Sequence, residues 1–254
     1  MRRRNLEIIY PLAALAVAIA AWELYVDIAK VPEYLLPSAS DTVRILIARL
    51  PLLVDEGALT TMTILIGFGA SVVFGVVVGL LMVELRWFER TAYPLMVGSQ
   101  AIPKIALAPI FVVWFGFGPF PRVLMTFLIS FFPIVIATVT GLRSIERELQ
   151  YVSQCMGLSP WKSFRDVRLP HALPHIFAGL KVAITLAVVG AIVGEFVGSD
   201  KGLGTVMVRA IGIQNTPLLF AALVAVTVLA IVLFALVGLA ERLLIPWHVS
   251  QRKD

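Results

Sequence analysis

Lys104 is the residue in this sequence with the greatest chemical potential for its setting. It stands alone among charged residues in the run from Thr91 to Pro121, between Pro103 and Pro109. An ammonium group inside an apolar membrane segment is functional by default, because lipid gives it neither water nor a counter-ion. Gln100 lies one helical turn earlier, on the same face. Prolines free backbone carbonyls, which are tolerated where a cavity or a neighbouring helix receives them. Lys104 and Gln100 are therefore candidates to line a translocation pathway. The competing reading is a structural lysine that snorkels or binds a freed carbonyl. Glu195 ends a second apolar run, beside Phe196-Val197-Gly198. It can gate a mouth, pair with Lys201 or Arg209, or rest as an interfacial carboxylate.

Other chemistries lack their residues. His171 and His175 are four apart, but Pro174 intervenes and no Glu follows His171, so they read as loop residues and not metal ligands. Gly198–Gly204 is glycine-rich without the GxxxxGK[ST] spacing that cradles phosphate. The single cysteine, Cys155, excludes an intrachain disulfide. No nucleophile triad or paired carboxylates converge by spacing, so no catalytic residue, metal or bound cofactor is assigned. The chain is not read as an enzyme.

The elements that must hold these residues follow from hydropathy. Of 254 residues, 59% are hydrophobic and 15% charged, with a mean hydropathy of +0.94. Soluble domains carry about a quarter charged residues, so here lipid receives the apolar excess. Gly57–Val83, Val123–Leu142 and Ala210–Ala240 contain no Asp, Glu, Lys or Arg, and about 20 apolar residues cross a bilayer as a helix. The expected spans are 8–26, 59–83, 93–115, 121–142, 177–197 and 217–240, in one transmembrane domain covering 1–254. The fold class is an all-α membrane protein, a polytopic bundle of about six helices. Arg2–Arg4 with the following apolar run and Ala18-Ile19-Ala20 also fit a signal peptide, but the many later spans make a retained first helix the simpler reading.

With the N-terminus inside, fourteen Lys and Arg residues fall on inner segments and six on outer ones, Lys104 being the twenty-first. Inner loops carry the excess of cations, so both termini are expected in the cytoplasm. The net charge of +5 is placed for anionic lipid, not nucleic acid. Gly67, Ser71, Gly75 and Gly79 recur every four residues on the second span, a spacing that lets helices pack closely.

The longest inner connection, 143–176, holds five of the cations, and Lys181 follows shortly after it. A short helix over Arg143–Met156 is expected to end at Gly157. Ser159 can cap a second helix with Pro160 at its first position. That helix is expected to run to about Val167 and stop at Leu169-Pro170. Trp161 and Phe164 share one side of it. Such a face either rests on headgroups or enters a partner's groove.

Gly157 is followed after nine residues by Val167-Arg168-Leu169-Pro170. This spacing resembles the cytoplasmic loop of ABC-importer permeases, with Tyr151-Val152-Ser153 where that family has Glu-Ala-Ala. YLLPSASDTVRIL, IPKIALAPIFVVWFGFG, FFPIVIATVTGLRSI, GEFVGSDKGLG and ERLLIPWH extend the resemblance over nearly the whole chain. Together they resemble the nitrate, sulfonate and taurine (NitT/TauT-like) permeases, including the pyrimidine-precursor and riboflavin branches. The resemblance implies a bacterial inner-membrane subunit of a binding-protein-dependent importer that works by alternating access. It implies a second permease copy as a dimer partner, cytoplasmic ATP-binding subunits that use ATP and Mg, and an external solute-binding protein. Gly157, Ser159, Pro160, Trp161, Phe164, Leu169 and Pro170 would form the ATPase-coupling loop. The alternative is an ion-gradient-driven secondary carrier, which favours inverted repeats and coupled intramembrane carboxylates, and neither is evident in the sequence.

Overall fold

The structure, a computed structural model, describes residues 2–247, and among these every regular element is helical. Arg252 and Lys253, counted above among the inner cations, lie outside the described residues. Five helices are long: α1 (Arg2–Ala29), α3 (Leu50–Glu84), α6 (Pro119–Arg143), α9 (Leu169–Gly198) and α11 (Thr216–Leu244). Each contains a stretch long and apolar enough to cross a bilayer. Shorter helices join them: α2 (Ala39–Ala48), α7 (Arg147–Cys155), α8 (Pro160–Ser163) and α10 (Leu203–Gly212).

The expected span 93–115 is two helices. These are α4 (Arg86–Gln100) and α5 (Leu107–Phe115), joined through a 3-10 turn at Lys104–Ala106 and bent by 81°. Pro103 explains the break. It lacks an N–H for the Ser99 carbonyl, and it disfavours a helical residue before it. Pro103 itself is extended, with φ −63° and ψ 96°. The pair still runs from one end of the bundle to the other. Glu89 of α4 lies 2.6 Å from Arg143 at the end of α6, whereas Gly118, after α5, donates to the Gly198 carbonyl at the far end of α9. The bent pair thus completes a sixth crossing.

Small residues set the core. Gly67, Ser71, Gly75 and Gly79 of α3 are buried and meet Thr126, Ser130, Ile134 and Thr138 of α6 in the same order, so the two helices run parallel. A Cβ at Gly67 would lie 2.6 Å from Thr126 Cβ. The Ser71 and Ser130 hydroxyls are 2.8 Å apart, and Ser71 also hydrogen-bonds the Phe127 carbonyl at 3.0 Å. On α9, Gly179, Gly190 and Gly194 meet Ala137, Thr126 and Arg122 in descending order, so α9 runs antiparallel to α6. Ile134, Leu142, Ile176, Phe177 and Leu180 fill the space between them. Lys181 of α9 is paired at 2.5 Å with Glu241 of α11. Peripheral α1 is anchored by Trp22, whose ring packs on Phe220 and whose indole donates to the Pro37 carbonyl at 3.1 Å. Leu15, Val17, Leu236 and Leu243 are exposed, as lipid-facing side chains are.

The connection after α6 begins its helix at Arg147, four residues later than expected. Gly157 ends α7 in the left-handed region, φ +67°, and the Leu158 N–H returns to the Ser153 carbonyl at 3.2 Å. The Ser159 hydroxyl accepts the Lys162 N–H, with Pro160 at the start of α8. Leu169-Pro170 is the expected stop for this helix, and the chain instead continues. A π-helical turn, Phe164–Arg168, carries α8 into α9, with the Leu169 N–H bonded to the Phe164 carbonyl. In a regular helix the Pro170 ring would clash with the carbonyl four residues back, and the wider turn relieves this. One helix of 39 residues therefore spans Pro160–Gly198.

Candidate functional site

The bend between α4 and α5 opens a groove of about 560 Å³ against α6 and α9. Gln100 and Lys104 line it with Ile129, Phe132 and His175. Lys104 is displayed by the 3-10 turn between α4 and α5, and its Nζ lies 4.3 Å from the centroid of the Phe132 ring. That is cation–π range. His171 and His175 belong to α9, not to a loop, and His175 is exposed on this groove. Gln100, Ile136 and Thr140 continue into a second groove of about 710 Å³, lined also by Tyr93, Glu89 and Arg143. The arrangement is an apolar trough with one ammonium, one amide and one imidazole. It can hold a solute that offers acceptors to Lys104 or a flat face to Phe132.

At the end of the bundle where α6 and α11 finish, residues of the loop between α6 and α9 form one block. Trp161 is 68% exposed, and its ring stacks on Phe164 with centroids 5.8 Å apart and planes 26° apart. Phe164 is half-buried against the cluster of Leu142, Ala172 and Ile176. The two rings do not share one role: Phe164 anchors the block and Trp161 stands outward. Arg168 lies 6.0 Å from the Phe164 ring and bonds Glu84 of α3 at 2.7 Å. Leu169 and Pro170 are half-buried at the start of α9.

Glu195 is not in the trough. It is buried near the opposite end of α9, where it accepts the Gly204 N–H at 2.8 Å. Glu56 and Thr60 of α3 and Arg122 of α6 converge on the same turn. These three residues carry no local motif. The available signal is on α6, where Thr126, Ser130, Ile134 and Thr138 repeat the four-residue spacing of the α3 stripe and so align α3 with α6. Among the described residues no group of three His, Cys, Asp or Glu is placed to hold a metal.

Residues 71–247 match the family model described as binding-protein-dependent transport system inner membrane component. The formylaminopyrimidine transport permease protein ThiX of Halalkalibacterium halodurans is 36% identical over 250 residues, covering 98% of this chain and 100% of that protein. The riboflavin transport system permease protein RibX of Chloroflexus aurantiacus is 37% identical over 167 residues, covering 66% of this chain and 62% of that protein. The taurine transport system permease protein TauC of Escherichia coli is 24% identical over 185 residues, 73% of this chain and 67% of that protein. An inward-facing structure of the MetNI methionine ABC transporter shares the fold, with a TM-score of 0.64 over 81% of this chain and 99% of that chain, at 22% identity.

Proposed function

This chain belongs to the family of inner-membrane components of binding-protein-dependent transport systems and is the permease subunit of an ABC importer, and from that premise we propose how it works. It passes a small solute from an external binding protein to the cytoplasm by alternating access, along the trough lined by Gln100, Lys104 and Phe132. The solute is of the nitrate, sulfonate or taurine type or a heteroaromatic vitamin precursor, and relatives named for formylaminopyrimidine, riboflavin, taurine and aliphatic sulfonates support the organic classes. A second copy of the chain closes the open side of the trough. ATP is hydrolysed by separate cytoplasmic subunits, and both termini of this chain face them, in keeping with fourteen cations against six on the inner segments.

The observation that carries this reading is the continuous helix Pro160–Gly198. Exposed Trp161 sits at its cation-rich end, and its other end reaches the opposite surface. A push on Trp161 by a closing ATPase therefore moves a whole span. A ligand-driven change needs a partner that contacts the two states differently, and nucleotide-dependent closure on Trp161 supplies that difference. The test is uptake by cells expressing the permease with its ATPase and binding protein, offered labelled formylaminopyrimidine, riboflavin, taurine and an aliphatic sulfonate. Accumulation of one compound that collapses with an ATPase-dead partner is the expected result. Accumulation that survives loss of the ATPase and tracks an ion gradient would replace this reading with the secondary carrier.

A further inference from the structure

The turn that opens α10 is held by side chains from three spans. Glu56 Oε2 accepts the Gly202 N–H at 2.5 Å, Thr60 Oγ1 the Leu203 N–H at 2.9 Å, and Glu195 Oε2 the Gly204 N–H at 2.8 Å. The first amides of a helix have no partner within it, and here α3 supplies two acceptors and α9 one. Carboxylates also suit the positive end of a helix dipole. Arg122 of α6 adds a third span by donating to the Ser199 hydroxyl at 3.0 Å and the Lys201 carbonyl at 3.3 Å.

The grip is tight, and dry at Thr60 and Glu195, while Glu56 is half-buried. Thr60 is fully buried and Glu195 is 1% exposed. Gly202 has φ +110°, and a Cβ there would lie 2.3 Å from Glu195 Cδ, so the carboxylate rests on bare backbone. Glu195 Oε1 is buried without a hydrogen bond of its own. This turn lies at the end opposite Trp161, while the trough of about 710 Å³ opens beside Arg143.

A shift of α9 relative to α3 cannot leave the α10 turn on both. Only Ser199–Gly202 separates α9 from α10, and Thr205 Oγ1 ties back to the Lys201 carbonyl at 3.0 Å. To α3 the turn is joined by the Glu56 and Thr60 hydrogen bonds and by Leu203 packed on Leu53. We propose that Glu56 and Thr60 are the releasable latch of the outer mouth, and that Glu195 is the positioning residue that carries α10 along with α9. The latch rests on the ATP-driven alternating access proposed above. It is closed without nucleotide and open when the ATPases close.

The test uses the permease purified with its ATPase subunits in lipid nanodiscs. In a Cys155→Ser background, Thr60→Cys with Leu203→Cys is treated with a short bifunctional thiol reagent, nucleotide-free and trapped with ATP and vanadate. Cross-linking should fall about fivefold or more on trapping, within the ordinary range of coupling between sites. In the unmodified complex, amide exchange of Gly202, Leu203 and Gly204 should rise by a similar factor, which decides the matter if the cysteine pair disturbs assembly. Glu195→Gln should leave the exchange of Leu203 unchanged when nucleotide-free and remove its response to trapping. A complex that hydrolyses ATP yet shows equal cross-linking and equal exchange in both states overturns the latch. A permease that binds no ATPase overturns the reading beneath it.

Discussion

Arg168 Nη1 lies 2.7 Å from Glu84 Oε1, joining the π-turn above α9 to the last residue of α3. The Trp161–Arg168 block is thereby attached to two spans, covalently to α9 and by charge to α3. The side chains are 23% and 51% exposed, and a pair of this kind contributes about 0.2–1 kcal/mol. Its loss should leave the fold intact. Arg168→Glu or Glu84→Arg alone should lower ATP hydrolysis by the reconstituted complex, and the two together should restore most of it. A double swap no better than either single change would make this pair incidental.

Lys104→Met tests the trough. Methionine keeps most of the length and removes the charge that sits over Phe132. Uptake of the solute that the unmodified complex transports should fall, while ATPase association and basal hydrolysis stay measurable. Unchanged uptake kinetics would return Lys104 to a structural role.

Gly179 tests the packing of α9 on α6. An added Cβ would stand 2.2 Å from Ala137 Cβ, whereas at Gly98 nothing lies within 4 Å. Overpacking of this sort costs about 1–3 kcal/mol. Gly179→Ala should lower the thermal transition in detergent, and Gly98→Ala should leave it nearly unmoved. Equal shifts would contradict the close approach.

Orientation is open to thiol labelling. Cys155 is exposed and free, so it is first replaced by serine. With an impermeant reagent on intact cells, Asp200→Cys should react and Lys162→Cys should not. Labelling at position 162 alone would invert the topology.

Much of this fold was legible because lipid imposes it. Runs without charge, such as Val123–Leu142, can do little but cross. Local chemistry was also readable where the determinant is local, as at the Ser159 cap and at Gly157. Pro170 misled because a π-turn removes the clash by which proline ends a helix, and that turn depends on packing around Phe164 and Arg168. The span 93–115 was expected whole, and neither the break at Pro103 nor its 81° angle was read from the sequence, because packing of α5 against its neighbours decides them. The grip on Gly202–Gly204 was illegible in detail. Glu56 and Glu195 are far apart in the chain, and only the α3–α6–α9 packing brings them to one turn.

Trp161 is expected to be where the ATPase engages this chain, and ATPase association with Trp161→Ala tests it. Phe164 is kept, since it anchors the block in the permease's own core. Truncating a central aromatic anchor costs about 2 kcal/mol or more, roughly a thirtyfold weakening. On titration of the purified ATPase against the variant permease in nanodiscs, affinity should fall by about that factor, with insertion and fold unchanged. An affinity equal to that of the unmodified permease would contradict the account and leave Trp161 resting on lipid headgroups.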